Sequence, residues 1–177
     1  MKLAKIGVIG GGAWGTALSQ VAAAQGGDVL LWALEAEVVA AINAAHENGV
    51  YLPGIPLAPS IRAVADLTEM EDRDALLVVT PAQHLRKVLG QMADCAKPLI
   101  LCAKGIEAGT RKLMSEAAAE ACPGAPIAVL SGPTFAHEVA VAGREPAHDQ
   151  LAGALEEDQP HLRAALAQLV TVDPAQP

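Results

Sequence analysis

Aromatic side chains are scarce in this sequence. Its 177 residues include one Phe, one Tyr and two Trp, although hydrophobic residues of all kinds make up 52%. We therefore expect a core built from Ala, Val, Leu and Ile, and we exclude an extensively disordered chain. No uninterrupted apolar run reaches the roughly 18 residues of a membrane-spanning helix, and glycine breaks the apolar run near the N-terminus. Neither a membrane span nor a signal peptide is therefore predicted.

Positive charge is also in short supply. The 12 Lys and Arg residues face 20 Asp and Glu residues, which gives a formal net charge of -8, and no basic cluster stands out. Nucleic acid is therefore not expected as a partner. The acidic balance is typical of a cytoplasmic protein, and it means that an anionic ligand needs positive potential supplied locally.

The number and spacing of the cysteines indicate neither a set of disulfides nor a metal site. The cysteines Cys95, Cys102 and Cys122 are odd in number and show no CxxC spacing. We predict that all three are reduced thiols packed as small hydrophobic side chains, and we predict no metal.

What the sequence does contain is an alternation of short apolar runs and helical segments. Strands are predicted at residues 5–9, 28–33, 75–79, 98–102 and 127–130, and helices at residues 14–25, 37–46, 83–94, about 111–121 and after 135. Asn48 and Gly49 are predicted to end the second helix. Residues 51–60 hold three prolines and are predicted to form a loop, followed by at most a short edge strand at 61–64. The pattern predicts an α/β domain with a Rossmann-type doubly wound, mostly parallel sheet.

Glycines gather where the first predicted strand meets the first predicted helix. Gly10, Gly12 and Gly15 fit the pattern G-x-G-x-x-G. In such a turn the first glycine allows a sharp bend, the second lets backbone approach a diphosphate, and the third lets the helix pack close to the sheet. The N–H groups at the start of the helix then attract the phosphates. We predict a dinucleotide's diphosphate here, with a purely structural use of the glycines as the alternative.

Two residues near this turn have both a binding and a structural interpretation. Glu35 lies 20 residues beyond Gly15, which is about the offset at which a carboxylate contacts the adenosine ribose of NAD. The alternative is a solvated acid at the start of a helix. Trp14 either covers the diphosphate or belongs to the core.

Two further turns follow predicted strands, at the edge where doubly wound sheets bind ligands. Lys104 follows one strand, and the turn from Gly132 to Thr134 follows another. A lysine in this position is suited to hold a phosphate or to polarise a carbonyl group. The alternatives are a solvated surface lysine and an ordinary tight turn before a helix.

Six longer segments cover about residues 1–140, and they are IGGGAWGTAL, LLWALEAE, NGVYLPGIPL, VVTPAQHLR, CAKGIE and VLSGPTFAHEVA. In this order and spacing they resemble the bacterial NAD(P)-dependent glycerol-3-phosphate dehydrogenases. The resemblance implies NAD or NADP as the cofactor and the reduction of dihydroxyacetone phosphate to glycerol 3-phosphate, for glycerophospholipid synthesis in the cytoplasm. It also allows a homodimer of the full-length family members.

The resemblance assigns roles to individual positions. By it, the cofactor-contacting residues are Ala13, Trp14, Tyr51, Lys104 and Ala136, and the substrate-contacting residues are Lys104, Gly132 and Thr134. Members that prefer NADPH often carry Arg or His after the tryptophan of the second strand. Here Ala33 and Leu34 follow that tryptophan and precede Glu35, which favours NAD over NADP.

The family pattern ends near residue 141. The predicted dinucleotide-binding domain covers residues 1–140, and residues 141–177 are predicted to be an atypical tail, helical or disordered, which we attribute to truncation with a shifted reading frame. In the family, the lysine of a K-N-V motif in a second, all-helical domain is the general acid/base. No K-N-V occurs in this sequence, so no catalytic residue is assigned, and we expect little or no turnover from this chain alone. The alternatives are a non-catalytic nucleotide-binding fragment and a reductase for another small phosphorylated or acidic substrate.

Overall fold

A computed structural model describes residues 5–92, 95–130 and 135–142 of the chain. In chain order, its strands are β1 (Lys5–Ile9), β2 (Asp28–Trp32), β3 (Glu47–Asn48), β4 (Leu52–Pro56), β5 (Ile61–Val64), β6 (Ala75–Val78), β7 (Leu99–Leu101) and β8 (Ile127–Val129). Its α-helices are α1 (Ala13–Ala24), α2 (Ala36–Ala45), α3 (Leu85–Leu89), α4 (Met114–Ala121) and α5 (Ala136–Ala142), and two 3-10 helices cover Leu67–Asp72 and Ala82–His84.

Six strands form one parallel sheet in the order β5-β2-β1-β6-β7-β8. The chain first winds outward from β1 through β2 to β5, then returns to the other side of β1 and winds outward again. This is the strand order of dinucleotide-binding doubly wound folds, and it creates a crevice between β1 and β6 where the winding reverses. The predicted Rossmann-type sheet is confirmed, including the edge strand at 61–64.

Side chains of each strand point alternately to the two faces of the sheet, and each face carries its own apolar core. Val8 and Leu31 face α1 and α2, whereas Ile9 and Leu30 face α3 and α4. We call these the α1-side core and the α4-side core. Both are almost entirely aliphatic, and because β1, β2, β6 and β7 are largely buried on both faces, these four strands are nearly continuous apolar runs.

Two elements differ from the sequence prediction. The predicted loop at 51–60 contains β4, which pairs antiparallel with β3 in a small hairpin. Gly54 takes a φ of +76° within β4, and this irregular backbone, together with its prolines, hides the strand pattern. The helix predicted at 83–94 is shorter: a 3-10 turn precedes α3, which ends at Gly90.

The cysteine prediction is wrong for two of the three residues. Cys95 and Cys122 form a disulfide, with their Cα atoms 5.2 Å apart. Cys95 lies shortly before β7 and Cys122 directly after α4, so the fold brings them together at the amino end of the sheet although spacing gives no sign of it. Cys102 is free and buried, as predicted, and burial raises the pKa of its thiol to about 12.

Among the described residues, no helix combines the length and the apolar character that a bilayer span requires. Nor do three or more His, Cys, Asp or Glu side chains converge there in a way that would hold a metal ion. The predicted tail lies outside the described residues from residue 143 onward.

Candidate functional site

The carboxyl ends of the strands lie at one edge of the sheet. Backbone pairing continues just past the strands: Gly10 donates to the carbonyl of Trp32 (3.0 Å), Val79 to that of Ile9 (2.9 Å) and Cys102 to that of Val78 (2.9 Å). The glycine turn after β1 and the segments after β6 and β7 therefore meet at this edge, beside the crevice between β1 and β6. This is where an open α/β sheet binds its ligand.

Three glycines of the turn are required by packing inside the protein. Gly10 has a φ of +129°, and a β-carbon there would lie 2.9 Å from the carbonyl oxygen of Val79. A β-carbon on Gly15 would lie 1.8 Å from the carbonyl oxygen of Gly10, and one on Gly11 would lie 2.5 Å from Cβ of Ala33. The turn, α1 and the neighbouring strands can approach this closely only because no side chain intervenes.

Gly12 is different, because the protein itself does not require a glycine there. Its φ of −70° suits any residue, and a β-carbon would meet no atom within 4 Å. The space in front of Gly12 is open. A diphosphate that approaches the backbone would fill this space, and a β-carbon would obstruct it.

The start of α1 offers backbone N–H groups beside that open space. Gly12 is the N-cap, no side chain caps the helix, and no acidic residue lies in its first turn. The first helical bond runs from Thr16 N to Gly12 O at 3.0 Å, so the N–H groups that precede Thr16 have no partner within the helix. Together with the helix dipole they attract an anion, and these residues therefore fit the diphosphate of a dinucleotide.

A buried amide from the β3–β4 hairpin supports the turn. Asn48 Nδ2 donates to the carbonyl of Gly11 (2.9 Å) and to Thr16 Oγ1 (2.7 Å). The Thr16 hydroxyl in turn donates to the carbonyl of Gly12 at 2.9 Å. The hairpin is thereby tied directly to the glycine turn.

Glu35 and Tyr51 meet beyond the end of β2. The Tyr51 hydroxyl donates to Glu35 Oε1 at 2.9 Å, and the hydrogen bond and the charge of this carboxylate raise the pKa of the phenol above its ordinary value. The Tyr51 backbone N–H donates to Asn48 Oδ1 at 3.2 Å. Leu34 stands beside the pair with 77% of its surface exposed, so the edge here presents a carboxylate, a phenol and an apolar side chain.

The segment that follows β7 carries Lys104, and a second set of side chains fixes its course. Gln83, just after β6, donates through Nε2 to the carbonyl of Ile106 (3.0 Å) and accepts through Oε1 from the N–H of Ala108 (2.8 Å). Gly105 turns the chain with a φ of +128°. Lys104 is exposed at the carboxyl end of β7, and its loop is anchored to the segment after the neighbouring strand.

An ion-pair network reinforces the same loop. Arg86 on α3 binds Glu107 through two hydrogen bonds of 2.7 and 2.8 Å and also contacts Glu120 on α4 at 2.9 Å. The guanidinium, with the Thr110 hydroxyl, lowers the pKa of Glu107 to about 2. A bidentate pair of this kind fixes direction as well as distance, so the loop that bears Lys104 is held by two helices.

Comparison with known proteins decides the family. A sequence profile described as NAD-dependent glycerol-3-phosphate dehydrogenase N-terminus matches residues 5–147. The chain belongs to this family. The resemblance found in the sequence is thereby confirmed.

Curated members of this dehydrogenase family are close in sequence. Glycerol-3-phosphate dehydrogenase (NAD(P)+) of Caulobacter vibrioides is 61% identical in an alignment of 143 residues that covers 79% of this chain and 43% of that protein. The enzyme of the same name from Erythrobacter litoralis is 57% identical over 137 residues, which are 77% of this chain and 42% of that protein. The chain thus spans less than half the length of these two relatives.

A solved dehydrogenase structure shows the same fold. The crystal structure of glycerol-3-phosphate dehydrogenase from Coxiella burnetii superposes with a TM-score of 0.74 at 32% identity, over 80% of this chain and 44% of that one. The described residues therefore correspond to the first part of a dehydrogenase of this family.

The structure describes some, but not all, of the residues to which the dehydrogenase resemblance gives a role. Ala13 and Trp14 lie in the first turn of α1, partly buried against the α1-side core. Ala136 begins α5, which packs along α1. Gly132 and Thr134 lie outside the described residues.

The sequence gives no indication of the side chains that hold the glycine turn and the Lys104 loop in place. Asn48 was predicted only to end a helix, and Thr16, Gln83 and Arg86 received no role. Their partners lie between 4 and 37 residues away in sequence. For Asn48 and Thr16 the available signal is a polar residue at a buried position, and burial is not visible before the fold is known.

Proposed function

We propose that this chain is the dinucleotide-binding part of a glycerol-3-phosphate dehydrogenase, an oxidoreductase that uses NAD or NADP to reduce dihydroxyacetone phosphate to glycerol 3-phosphate. The observation that carries the proposal is Gly12, where a β-carbon would meet no protein atom although the neighbouring glycines are tightly enclosed. Packing inside the protein does not require a glycine at this position, and no side chain caps the helix start there. A bound diphosphate explains both features. The names of the relatives from Caulobacter and Erythrobacter support the same activity.

The proposed assignment of residues follows the edge of the sheet. The backbone around Gly12 and the first turn of α1, including Ala13 and Trp14, would hold the diphosphate. Glu35 would accept hydrogen bonds from the adenosine ribose, with Tyr51 beside it. When bound, the nicotinamide supplies a hydride, and the protein's part is to hold and orient it.

Lys104 is proposed to contact both cofactor and substrate. It places a positive charge after β7, at the same edge as the glycine turn. In a chain with a net charge of -8, an anionic substrate needs such a local cation. Gly132 and Thr134 are proposed to contact the substrate, and Ala136 the cofactor.

A preference for NAD over NADP is part of the proposal. The ribose-side edge presents Leu34 and Glu35, and the Glu35 carboxylate is held by Tyr51. A carboxylate accepts hydrogen bonds from the free ribose hydroxyls of NAD but repels the 2′-phosphate of NADP. Introducing a cation with Leu34→Arg should raise the affinity for NADPH relative to NADH in paired titrations. An unchanged ratio would count against the assignment of this edge to the ribose.

We further propose a cytoplasmic location, a role in glycerophospholipid synthesis, no nucleic-acid partner, and a homodimer for full-length proteins of this kind. These proposals rest on the family and on the acidic composition. Size-exclusion chromatography with light scattering tests the homodimer directly on the full-length protein.

The decisive experiment is a titration of this chain with NADH, followed by fluorescence and by thermal shift. We expect saturable binding and a rise in melting temperature, and we expect Gly12→Val to abolish both while remaining folded. If the unsubstituted chain does not respond to NADH, or if Gly12→Val responds equally, the dinucleotide site is disproved.

A second arm of that experiment addresses the substrate. In the presence of NADH, dihydroxyacetone phosphate should raise the melting temperature further, and Lys104→Ala should remove this additional rise. Stabilisation by NADH with no response to dihydroxyacetone phosphate would leave a nucleotide-binding module and contradict the substrate assignment. A panel of other small phosphorylated or acidic carbonyl compounds would then identify another reductase.

A further inference from the structure

Asn48 lies outside both α1 and the main sheet, yet its side chain binds the glycine turn that connects them and the first part of α1. It is only 1% exposed, and its amide group reaches from the β3–β4 hairpin to the carbonyl of Gly11 and the hydroxyl of Thr16. Its Oδ1 accepts from the backbone N–H of Tyr51. Both amide hydrogens and the amide oxygen are therefore engaged by the glycine turn and by the hairpin residue that holds Glu35.

These bonds determine which way the N–H groups of the turn point. In a trans peptide unit, the carbonyl of one residue and the N–H of the next lie in one plane and point in opposite directions. Because the carbonyl of Gly11 points to Asn48, the N–H of Gly12 points away from Asn48. In the same way, the carbonyl of Gly12 accepts from Thr16 Oγ1, and this orients the N–H of Ala13.

We propose that Asn48 is a positioning residue for the dinucleotide. Through Gly11 and Thr16 it sets the direction of the N–H groups offered to the diphosphate, and through Tyr51 it keeps the ribose-side pair at a fixed distance from them. The inference rests on the proposed dinucleotide function. Asn48 itself would contact neither cofactor nor substrate. It would determine the positions of two groups that contact the cofactor, namely the N–H groups of the turn and the ribose-side pair.

The chain contains a matched control for this role. Asn43 on α2 makes two side-chain hydrogen bonds to the backbone of Ala63, one through Nδ2 and one through Oδ1, both 2.8 Å long. These bonds fasten α2 to β5 and touch no part of the glycine turn. Asn43 is exposed whereas Asn48 is buried, so losing Asn43 should cost less stability, and it should leave the geometry of the site unchanged.

The test measures NADH dissociation constants and melting temperatures for the full chain with Asn48→Ala and Asn43→Ala. Both substitutions should lower the melting temperature. Asn48→Ala should weaken NADH binding about tenfold or more, the factor that corresponds to losing one well-made hydrogen bond, whereas Asn43→Ala should stay within about twofold. If Asn48→Ala does not fold at the assay temperature, Asn48→Ser decides, since it buries no charge and removes both amide donors, while its hydroxyl can still accept from the Tyr51 N–H three residues on.

A double substitution separates positioning from a general loss of stability. Tyr51→Phe alone should weaken NADH binding modestly, because the Glu35 carboxylate loses its partner. If Asn48 holds the hairpin in register, adding Tyr51→Phe to Asn48→Ala should produce little further loss, since Tyr51 is already displaced. Full additivity of the two effects would overturn the coupling.

The outcomes also separate this inference from the function on which it rests. Failure of the unsubstituted chain to bind NADH disproves the dinucleotide function and the positioning role together. Normal binding by the unsubstituted chain, with Asn48→Ala or the folded Asn48→Ser binding NADH equally well, leaves the dinucleotide function intact and disproves the role of Asn48 alone.

Discussion

Gly15 lies so close to Gly10 that a β-carbon on Gly15 would stand 1.8 Å from the carbonyl oxygen of Gly10. That carbonyl belongs to the turn leaving β1, and Gly15 belongs to the first turn of α1, so the helix rests directly on the turn. Gly12 lies between them in the sequence, and a β-carbon on Gly12 would meet no atom within 4 Å. One short motif thus contains glycines of two kinds, which substitution can tell apart.

Alanine at Gly15 should destabilise the fold, and alanine at Gly12 should not. Overpacking of this severity costs about 1–3 kcal/mol or more, whereas Gly12→Ala should stay within about 0.5 kcal/mol of the unsubstituted chain. Urea unfolding followed by circular dichroism measures both. Equal destabilisation by the two substitutions would mean that the space in front of Gly12 is not open.

The phenol of Tyr51 should titrate above its ordinary pKa. Tyr51 is the one tyrosine in the sequence, so the tyrosinate absorbance near pH 10 reports a single group. Its hydrogen bond to the Glu35 carboxylate favours the protonated phenol and raises its pKa. Glu35→Gln should lower the titration midpoint, and an identical midpoint in both proteins would show that the pair does not form.

Acid should weaken the loop that bears Lys104 through the protonation of Glu107. The pKa of this carboxyl is about 2 in the folded protein against an ordinary 4.5. A lowered folded pKa contributes stability that is fully present above pH 4.5 and is lost as the pH falls toward 2. The melting temperature of Glu107→Gln should therefore fall less steeply than that of the unsubstituted chain over this interval. Parallel curves would contradict the prediction.

Reduction of the Cys95–Cys122 bond should lower stability. The two residues are 27 positions apart, and closing a loop of that length in the unfolded chain is worth about 3 kcal/mol. The melting temperature with and without dithiothreitol measures the effect. Cys122→Ser should have the melting temperature of the reduced protein, and dithiothreitol should not change it. Thiol counting in denaturant provides the control: one reactive group, from Cys102, is expected before reduction and three after it.

The sequence predicts the sheet and the glycine turn because their signals are local. Each buried parallel strand is a continuous apolar run, and the first of them meets its helix at a glycine pattern that few other structures require. Glu35 and Tyr51 were both predicted on the adenosine side, and the structure adds that they are hydrogen-bonded.

What the sequence does not show depends on contacts between distant segments. The β3–β4 hairpin has no alternating pattern of apolar and polar residues. It supports the site through Asn48, whose amide group donates to residues 32 and 37 positions away. The Cys95–Cys122 bond depends on β7 and β8 being neighbours, which spacing alone does not state. Long-range pairing of this kind becomes predictable only after the order of the strands is known.

The sheet divides the molecule into two faces that are fastened by different chemistry. The glycine turn, Asn48 and α5 belong to the α1 side, while the disulfide joins segments of the α4 side. A thiol reductant would thus act at the amino end of the sheet, and a nucleotide at its carboxyl end. Amide exchange should consequently speed up around α3 and α4 when reductant is added and slow down around α1 when nucleotide is added, so that one molecule responds separately to two properties of its surroundings.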